Sequence, residues 1–176
     1  MSTAARIRPL GAADAPAYKR LRDEALRCAP EAFAANYASA RLQPAEAYAP
    51  RFGSPLSGTF FLGAFDTRHT LVGCLGCERA LPAQQRHSAQ LVGMCVAPGA
   101  QRQGLGRSLL QHVLMVAARV PGLEQLTLTV TASNTHVVRL YESLGFVAWG
   151  LQPRALIVAG QAYDALHMSR PLHPPT

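Results

Sequence analysis

The spacing of apolar residues changes period several times along this chain, and the changes mark out its elements. Tyr18, Leu21, Ala25 and Cys28 recur every three or four residues, which predicts a helix. Asp14 stands where an N-cap belongs, Pro16 is tolerated in a first turn, and Pro30 ends the run. A short strand is expected before it, at residues 7–10. A second helix is expected from near Pro44 to just before Gly53, while residues 31–43 follow neither period. From Thr59 the pattern turns strand-like. Residues 59–65 and 71–80 are rich in β-branched and aromatic side chains, with the turn-like Asp66-Thr67-Arg68-His69 between them. Residues 88–97 form a third strand of this set, closed by Pro98-Gly99.

Helical period returns at residues 104–119, where Leu105, Leu109, Val113 and Val116 share a face until Pro121-Gly122 breaks the run. Residues 123–131 then alternate Leu126, Leu128 and Val130 with Thr127, Thr129 and Thr131, a strand with one face for a core. Residues 135–144 predict a helix with Val137, Val138, Tyr141 and Leu144 inward. Gly145 supplies a left-handed stop and Phe146 the apolar residue that follows it. Residues 146–158 and 162–170 read as a hairpin around Ala159-Gly160. This order predicts one α/β domain over residues 1–176, with a mixed sheet of about seven strands flanked by about four helices.

Composition narrows the class. Of 176 residues, 49% are apolar and 15% charged, which suits a buried core and excludes a disordered tail. No apolar run approaches the ~20 residues that cross a bilayer. The first residues also lack the apolar stretch of a secretory signal, so no membrane partner and a cytoplasmic address are expected. Net charge is +7, Lys19 is the single lysine, and the arginines are scattered. That spread argues against a nucleic-acid partner and suits a polyanionic small ligand. Cys74 and Cys77 spell C-x-x-C, yet no second ligand pair of matching spacing exists. Residues three apart on a strand also point to opposite faces, so free buried thiols and no metal are expected.

Candidate chemistry concentrates at residues 91–110, LVGMCVAPGAQRQGLGRSLL. A strand ends, a polar loop follows, and Gly104-Leu105-Gly106 opens an apolar helix. First-turn N–H groups have no intrahelical partner and the helix dipole adds positive charge. Glycines let a ligand approach closely, so the whole is a pyrophosphate cradle. It is not a Walker loop, which needs Gly-Lys-Ser/Thr, nor a dinucleotide fingerprint, because Leu109 stands at the third glycine.

Gln101-Arg102-Gln103-Gly104-Leu105-Gly106 matches the Q/R-x-x-G-x-G/A signature of the GNAT superfamily of N-acetyltransferases, which the chain resembles. Met94-Cys95-Val96-Ala97-Pro98 looks like that family's fourth strand. Residues 134–146, from Asn134 through Leu140-Tyr141 to Gly145-Phe146, resemble its N-x-x-A-x-x-L-Y-x-x-x-G-F helix. The resemblance covers about residues 5–171 and implies a GNAT-like fold with a mixed, mostly antiparallel twisted sheet. It implies an enzyme, an acetyl-CoA-dependent N-acetyltransferase with no metal. Acetyl would pass directly, in a ternary complex, to a primary amine of a small molecule or a peptide.

Carried over residue by residue, the backbone of Met94, Cys95 and Val96 would hold the pantetheine arm. N–H groups of Gln101, Arg102, Gln103, Gly104, Leu105, Gly106 and Arg107 would hold the pyrophosphate. Asn134 would contact the cofactor, and Tyr141 would face the thioester sulfur and protonate the leaving thiolate. Two positions depart from the family pattern. Val137 replaces the usual alanine, and Thr129 stands where many members carry a glutamate as general base. His87, Glu78, Asp164 or a water relay are the alternatives for that base. A noncatalytic acyl-CoA-binding or sensing module of the same fold is the competing reading. Monomer and homodimer both stay open. Acceptor contacts are expected around residues 28–53 and 154–164. There Glu31, Glu46 and Asp164, with Phe33, Tyr37 and Tyr48, could receive a cationic amine.

Overall fold

Strand β1 (Arg6–Pro9) leads through a 3-10 turn at Ala12–Asp14 into helix α1 (Ala15–Cys28) in the computed structural model, which describes residues 5–173. Tyr18, Leu21 and Leu26 are buried on α1, but Cys28, expected on the same face, is exposed. Asp14 does not cap α1 as expected. Its own backbone is already helical, so the side chain reaches back over the 3-10 turn. There it accepts from Gly11 N–H at 2.8 Å and from the two terminal nitrogens of Arg8 at 2.8 and 2.9 Å.

Residues 31–43, left open by periodicity, contain the end of a 3-10 turn at Pro30–Ala32 and a one-turn helix α2 (Tyr37–Ala40) capped by the Asn36 side chain. The helix expected before Gly53 is a 3-10 run, Ala45–Phe52. Pro50 lies inside it and has no N–H for an α-helical ladder. Strands β2 (Gly53–Ser54), β3 (Thr59–Phe65), β4 (Leu71–Arg79) and β5 (Ser88–Val96) follow. Helix α3 (Leu105–Ala117), strand β6 (Gln125–Thr131) and helix α4 (Thr135–Ser143) come next. The hairpin β7 (Val147–Val158) and β8 (Gln161–Pro171) completes the chain.

The sheet runs β1-β3-β4-β5-β6-β8-β7, with β2 beside β3, so it has eight strands where about seven were expected. Every pairing is antiparallel except β5 with β6. The stop after α4 forms as the sequence predicts. Gly145 takes φ 88°, its N–H donates to Glu142 O at 3.0 Å, and Phe146 N–H donates to Tyr141 O at 3.1 Å. The Phe146 ring packs edge-on against Tyr141, 5.6 Å between centroids.

Each face of the sheet has its own core. Helices α3 and α4 cover one face, with Leu75, Leu109, Val113, Leu126 and Tyr141 among its buried residues. Helix α1 and the 3-10 run cover the other, where Tyr18 meets Tyr48, Phe52 and Phe61 edge-on at 5.3, 5.2 and 5.7 Å. Cys77 lies in the first core and Cys74 in the second, so the two thiols cannot share an ion. Among the described residues, no helix is long and apolar enough to cross a membrane.

Hydrogen bonds from Arg8 hold the Asp14 carboxyl below the usual carboxylate range. The stabilisation is therefore complete above the ordinary Asp value near ~4 and is lost as pH falls through the lower folded-state value. Asp14→Asn is expected to cost roughly 0.5–1 kcal/mol at neutral pH, as for a pair partly screened by solvent. In thermal melts across acid pH, the variant should lose less stability than the unaltered chain. Equal acid sensitivity in both would contradict this account.

Candidate active site

Strand β5 keeps its parallel ladder with β6 for three residues only: Ser88, Ala89 and Gln90 lie opposite Gln125, Leu126 and Thr127. Beyond that the strands part, and the rest of β5 is paired with β4 alone. A β-bulge falls in this stretch. Cys74 faces Cys95 and Gly76 faces Val92, so Gly93 and Met94 together oppose Leu75. Gly93 takes φ 62°, a left-handed value open to a residue without a Cβ. The extra residue shifts the alternation, placing Met94 against the α3–α4 core and Cys95 in the α1 core. Ala97 N–H donates to Val72 O at 2.8 Å, on the β4 side. Strand alternation then turns the backbone of Met94 and Val96 into the gap and that of Cys95 toward β4. Of the three residues expected to hold an extended ligand through their backbone, two thus offer amides to the gap.

The loop expected to hold a pyrophosphate lies at the end of β5. After a 3-10 turn at Pro98–Ala100, Arg102 and Gly104 take positive φ of 62° and 75°, and α3 begins at Leu105. Among the described residues, no protein acceptor takes the backbone N–H of Arg102, Gln103, Gly104, Leu105, Gly106 or Arg107. Ser108 N–H is the first engaged, by Gly104 O at 3.0 Å. A Cβ on Gly104 would meet nothing within 4 Å, so the space before these amides is open. Six consecutive donors at a helix N-terminus fit a pyrophosphate. Gln101 differs from expectation. Its N–H bonds Pro98 O at 3.4 Å, and its Nε2 donates to Val96 O at 3.1 Å, tying the strand end to the loop.

Helix α4 meets the same opening. Tyr141 is buried and its hydroxyl contacts Met94 Sδ at 3.9 Å. Burial pushes its phenol well above the usual range, so it stays protonated. Arg107 Nη2 donates to Ser143 Oγ at 2.7 Å, and a Cβ on Gly106 would lie 3.5 Å from Leu140. These contacts join the two sequence motifs. Asn134 opens α4. Its carbonyl accepts from Val137 and Val138 N–H at 3.1 and 3.0 Å, and its side chain does not cap the helix.

The expected bases separate. His87 is exposed and precedes β5 at its paired end, roughly 25 Å from Cys95 at ~3.3 Å per strand residue. Glu78 pairs with Arg51 at 2.9 Å, and Asp164 accepts from Arg154 N–H at 2.9 Å. Beside Thr129 lies a residue that sequence reasoning missed. Thr129 Oγ1 is 3.0 Å from Nδ1 of His167 on β8, whose ring stacks on Trp149 at 5.2 Å. The threonine row of β6 alternates away from buried Leu126 and Leu128, and Thr131 Oγ1 donates to Glu31 O just beyond α1. That row therefore faces the α1 side. The only signal for His167 was the register of the last hairpin on Thr129, which periodicity does not set.

Cys74 and Cys77 are poor nucleophiles. Cys74 and Cys95 sulfurs are 3.3 Å apart, and this contact with burial pushes the Cys74 thiol well up. Burial pushes the Cys77 thiol up to about 12.

Residues 18–146 match the acetyltransferase (GNAT) family. The ribosomal protein bS18-alanine N-acetyltransferase of Escherichia coli strain K12 is 38% identical over 84 residues, 48% of this chain and 56% of that protein. The chain thus spans about half the length of the curated relatives it first matches. Among solved structures, a GCN5-related N-acetyltransferase from Kribbella flavida has 27% identity and a TM-score of 0.81, over 96% of this chain and 98% of that one. A GNAT superfamily phosphinothricin acetyltransferase from Sinorhizobium meliloti, in complex with AcCoA, shares the fold at 20% identity. Its TM-score is 0.82, over 98% of this chain and 94% of that one.

A carboxylate placed in the cradle tests it. Gly104→Asp and Gly106→Asp should each weaken CoA binding at least ~100-fold, since like charges brought together cost several kcal/mol. Calorimetry with CoA reads the loss, and circular dichroism checks the fold. Unchanged affinity in a folded variant would remove the cradle assignment.

Proposed function

The chain belongs to the acetyltransferase (GNAT) family, and we propose that it transfers the acetyl group of acetyl-CoA to a primary amine in a ternary complex. One observation carries the reading. The parted edge of β5, the unengaged amides of Arg102 to Arg107 and the buried phenol of Tyr141 meet at a single opening. In this reading Met94 and Val96 bind the pantetheine arm, the six loop amides bind the pyrophosphate, and Asn134 contacts the cofactor. Acceptors named for relatives include the alanine of a ribosomal protein, so a peptide terminus and a small amine are both within the reading.

The chemistry follows from the side chains present. The neutral amine nitrogen attacks the thioester carbonyl, forming C–N as C–S breaks. An N–H of the β5 edge stabilises the oxygen that gains charge. Tyr141 gives its proton to the departing sulfur, and a phenol kept protonated by burial is suited to that step. The amine's proton goes to His167. In the tautomer whose Nδ1–H donates to Thr129 Oγ1, 3.0 Å away, the lone pair sits on Nε2, as a base needs. His167 thus fills the role of the missing glutamate one strand away from it.

Release of CoA thiol across an amine panel tests the reading. Tyr141→Phe should leave CoA affinity nearly unchanged while kcat falls roughly 10²–10⁴-fold. His167→Ala should lower kcat while leaving CoA affinity nearly unchanged, read by calorimetry. Thr129→Ala should cost less than either. Tight acetyl-CoA binding with no turnover on any amine, and a silent Tyr141→Phe, would leave the noncatalytic binding module instead.

A further inference from the structure

On the sheet face opposite α3 and α4, the Arg22 guanidinium lies 5.9 Å from the centre of the Tyr48 ring but joins no ion pair among the described residues. Arg22 projects from α1, and its buried Nε has no hydrogen-bond partner. The three ion pairs among the described residues use Arg8, Lys19 and Arg51 and leave Arg22 out. Asp23, the next residue on α1, binds Lys19 through Oδ2 at 2.6 Å and keeps a buried Oδ1 without a hydrogen-bond partner, while Glu78 binds Arg51 at 2.9 Å. Tyr18, one turn earlier on α1, is fully buried, and its hydroxyl is unpaired too. Burial pushes its phenol upward, so it remains a donor.

These two groups converge on the bulge. A Cβ on Gly93 would lie 3.8 Å from Arg22 Nη1 and 3.9 Å from the Tyr18 hydroxyl. The bulge is where the strand gap opens, and Arg22 and Tyr18 reach it from the α1 face, the face of Thr129 and His167. Arg22 also borders a hollow with Asn36, Gln43 and Tyr48, the first two exposed to solvent. A buried donor left unpaired is costly, and a guanidinium beside a hydroxyl matches the oxygens of a carboxylate.

We propose that Arg22 and Tyr18 bind a carboxylate carried by the acceptor, so that the acceptor is a small amino acid rather than a polyamine or a protein lysine. This rests on the acetyl-transfer reading above and names its substrate class. It differs from the expectation that Glu31, Glu46 and Asp164 receive a cationic amine. Glu46 is exposed, and Glu31 meets the site's threonine row through its backbone carbonyl.

Two measurements on the full chain test the proposal. The first compares acetylation of the twenty α-amino acids with that of their carboxamides, read as CoA thiol release. The best amino acid should exceed its amide roughly 10- to 100-fold in kcat/KM, the worth of a charge-assisted hydrogen bond. Arg22→Gln should abolish that ratio by raising KM for the acid alone, and Arg22→Lys should restore part of it. Tyr18→Phe, which keeps the aromatic packing, should lower the ratio. The second measures binding of N-acetyl amino acids and their carboxamides by calorimetry with CoA present, which needs no turnover. Carboxylate-selective binding lost in Arg22→Gln supports the subsite even if no amine is acetylated, in which case the transfer reading fails alone. Amides or peptides acetylated as well as the acids, or equal losses for acid and amide in Arg22→Gln, would overturn the subsite and leave the transfer reading standing.

Discussion

The short ladder between β5 and β6 is the constraint on which the rest of the site depends. Three paired residues hold the strands together at one end, and the sheet opens beyond them. An inner strand without a neighbour leaves backbone amides that need some other partner. The opening is braced from β3, one strand beyond β4. Phe61 fills the place where Gly76 would carry a side chain, since a Cβ there would fall 2.4 Å from the ring. Gly76 lies next to the bulge in the β4 register, so the ring, the glycine and the bulge form one unit.

The bulge divides labour between the two faces. It sends Met94 to Tyr141 and Cys95 to Cys74, so one strand serves both cores. On the α3–α4 side lie the amide cradle and a phenol that burial keeps protonated. On the α1 side lie His167, Tyr18 and Arg22. A group-transfer reaction across such a sheet can take its donor from one side and its acceptor from the other.

Much of this was legible along the chain. The strand at Thr59–Phe65 has the bounds its composition predicts, and Gly145-Phe146 closes α4 through the hydrogen bonds expected of a left-handed stop. The loop between β5 and α3, with its positive-φ Gly104 and unengaged amides, was visible as glycines between a strand and an apolar helix. Other features were not. Asp14 reads as the cap of α1, yet Arg8 and Gly11 take its carboxylate because β1 places that arginine within 2.8 Å. His167 and Arg22 are single polar residues in ordinary elements, and nothing nearby in sequence marks either one.

By itself, the sequence determined what depends on neighbours a few residues apart: the periods of strands and helices, the turn glycines, the run of free amides that leads into the first turn of α3 and the opposed directions of Cys74 and Cys77. Those follow from backbone dihedrals and side-chain spacing. Tertiary structure decided the register of β8 on β6, the length of the β5–β6 ladder and the bulge that sets which core receives Cys95. Each of these pairs residues far apart in the chain. A one-residue change of register reverses every side chain on a strand, so the face on which Thr129, His167 and Arg22 gather is set only once the whole sheet has assembled.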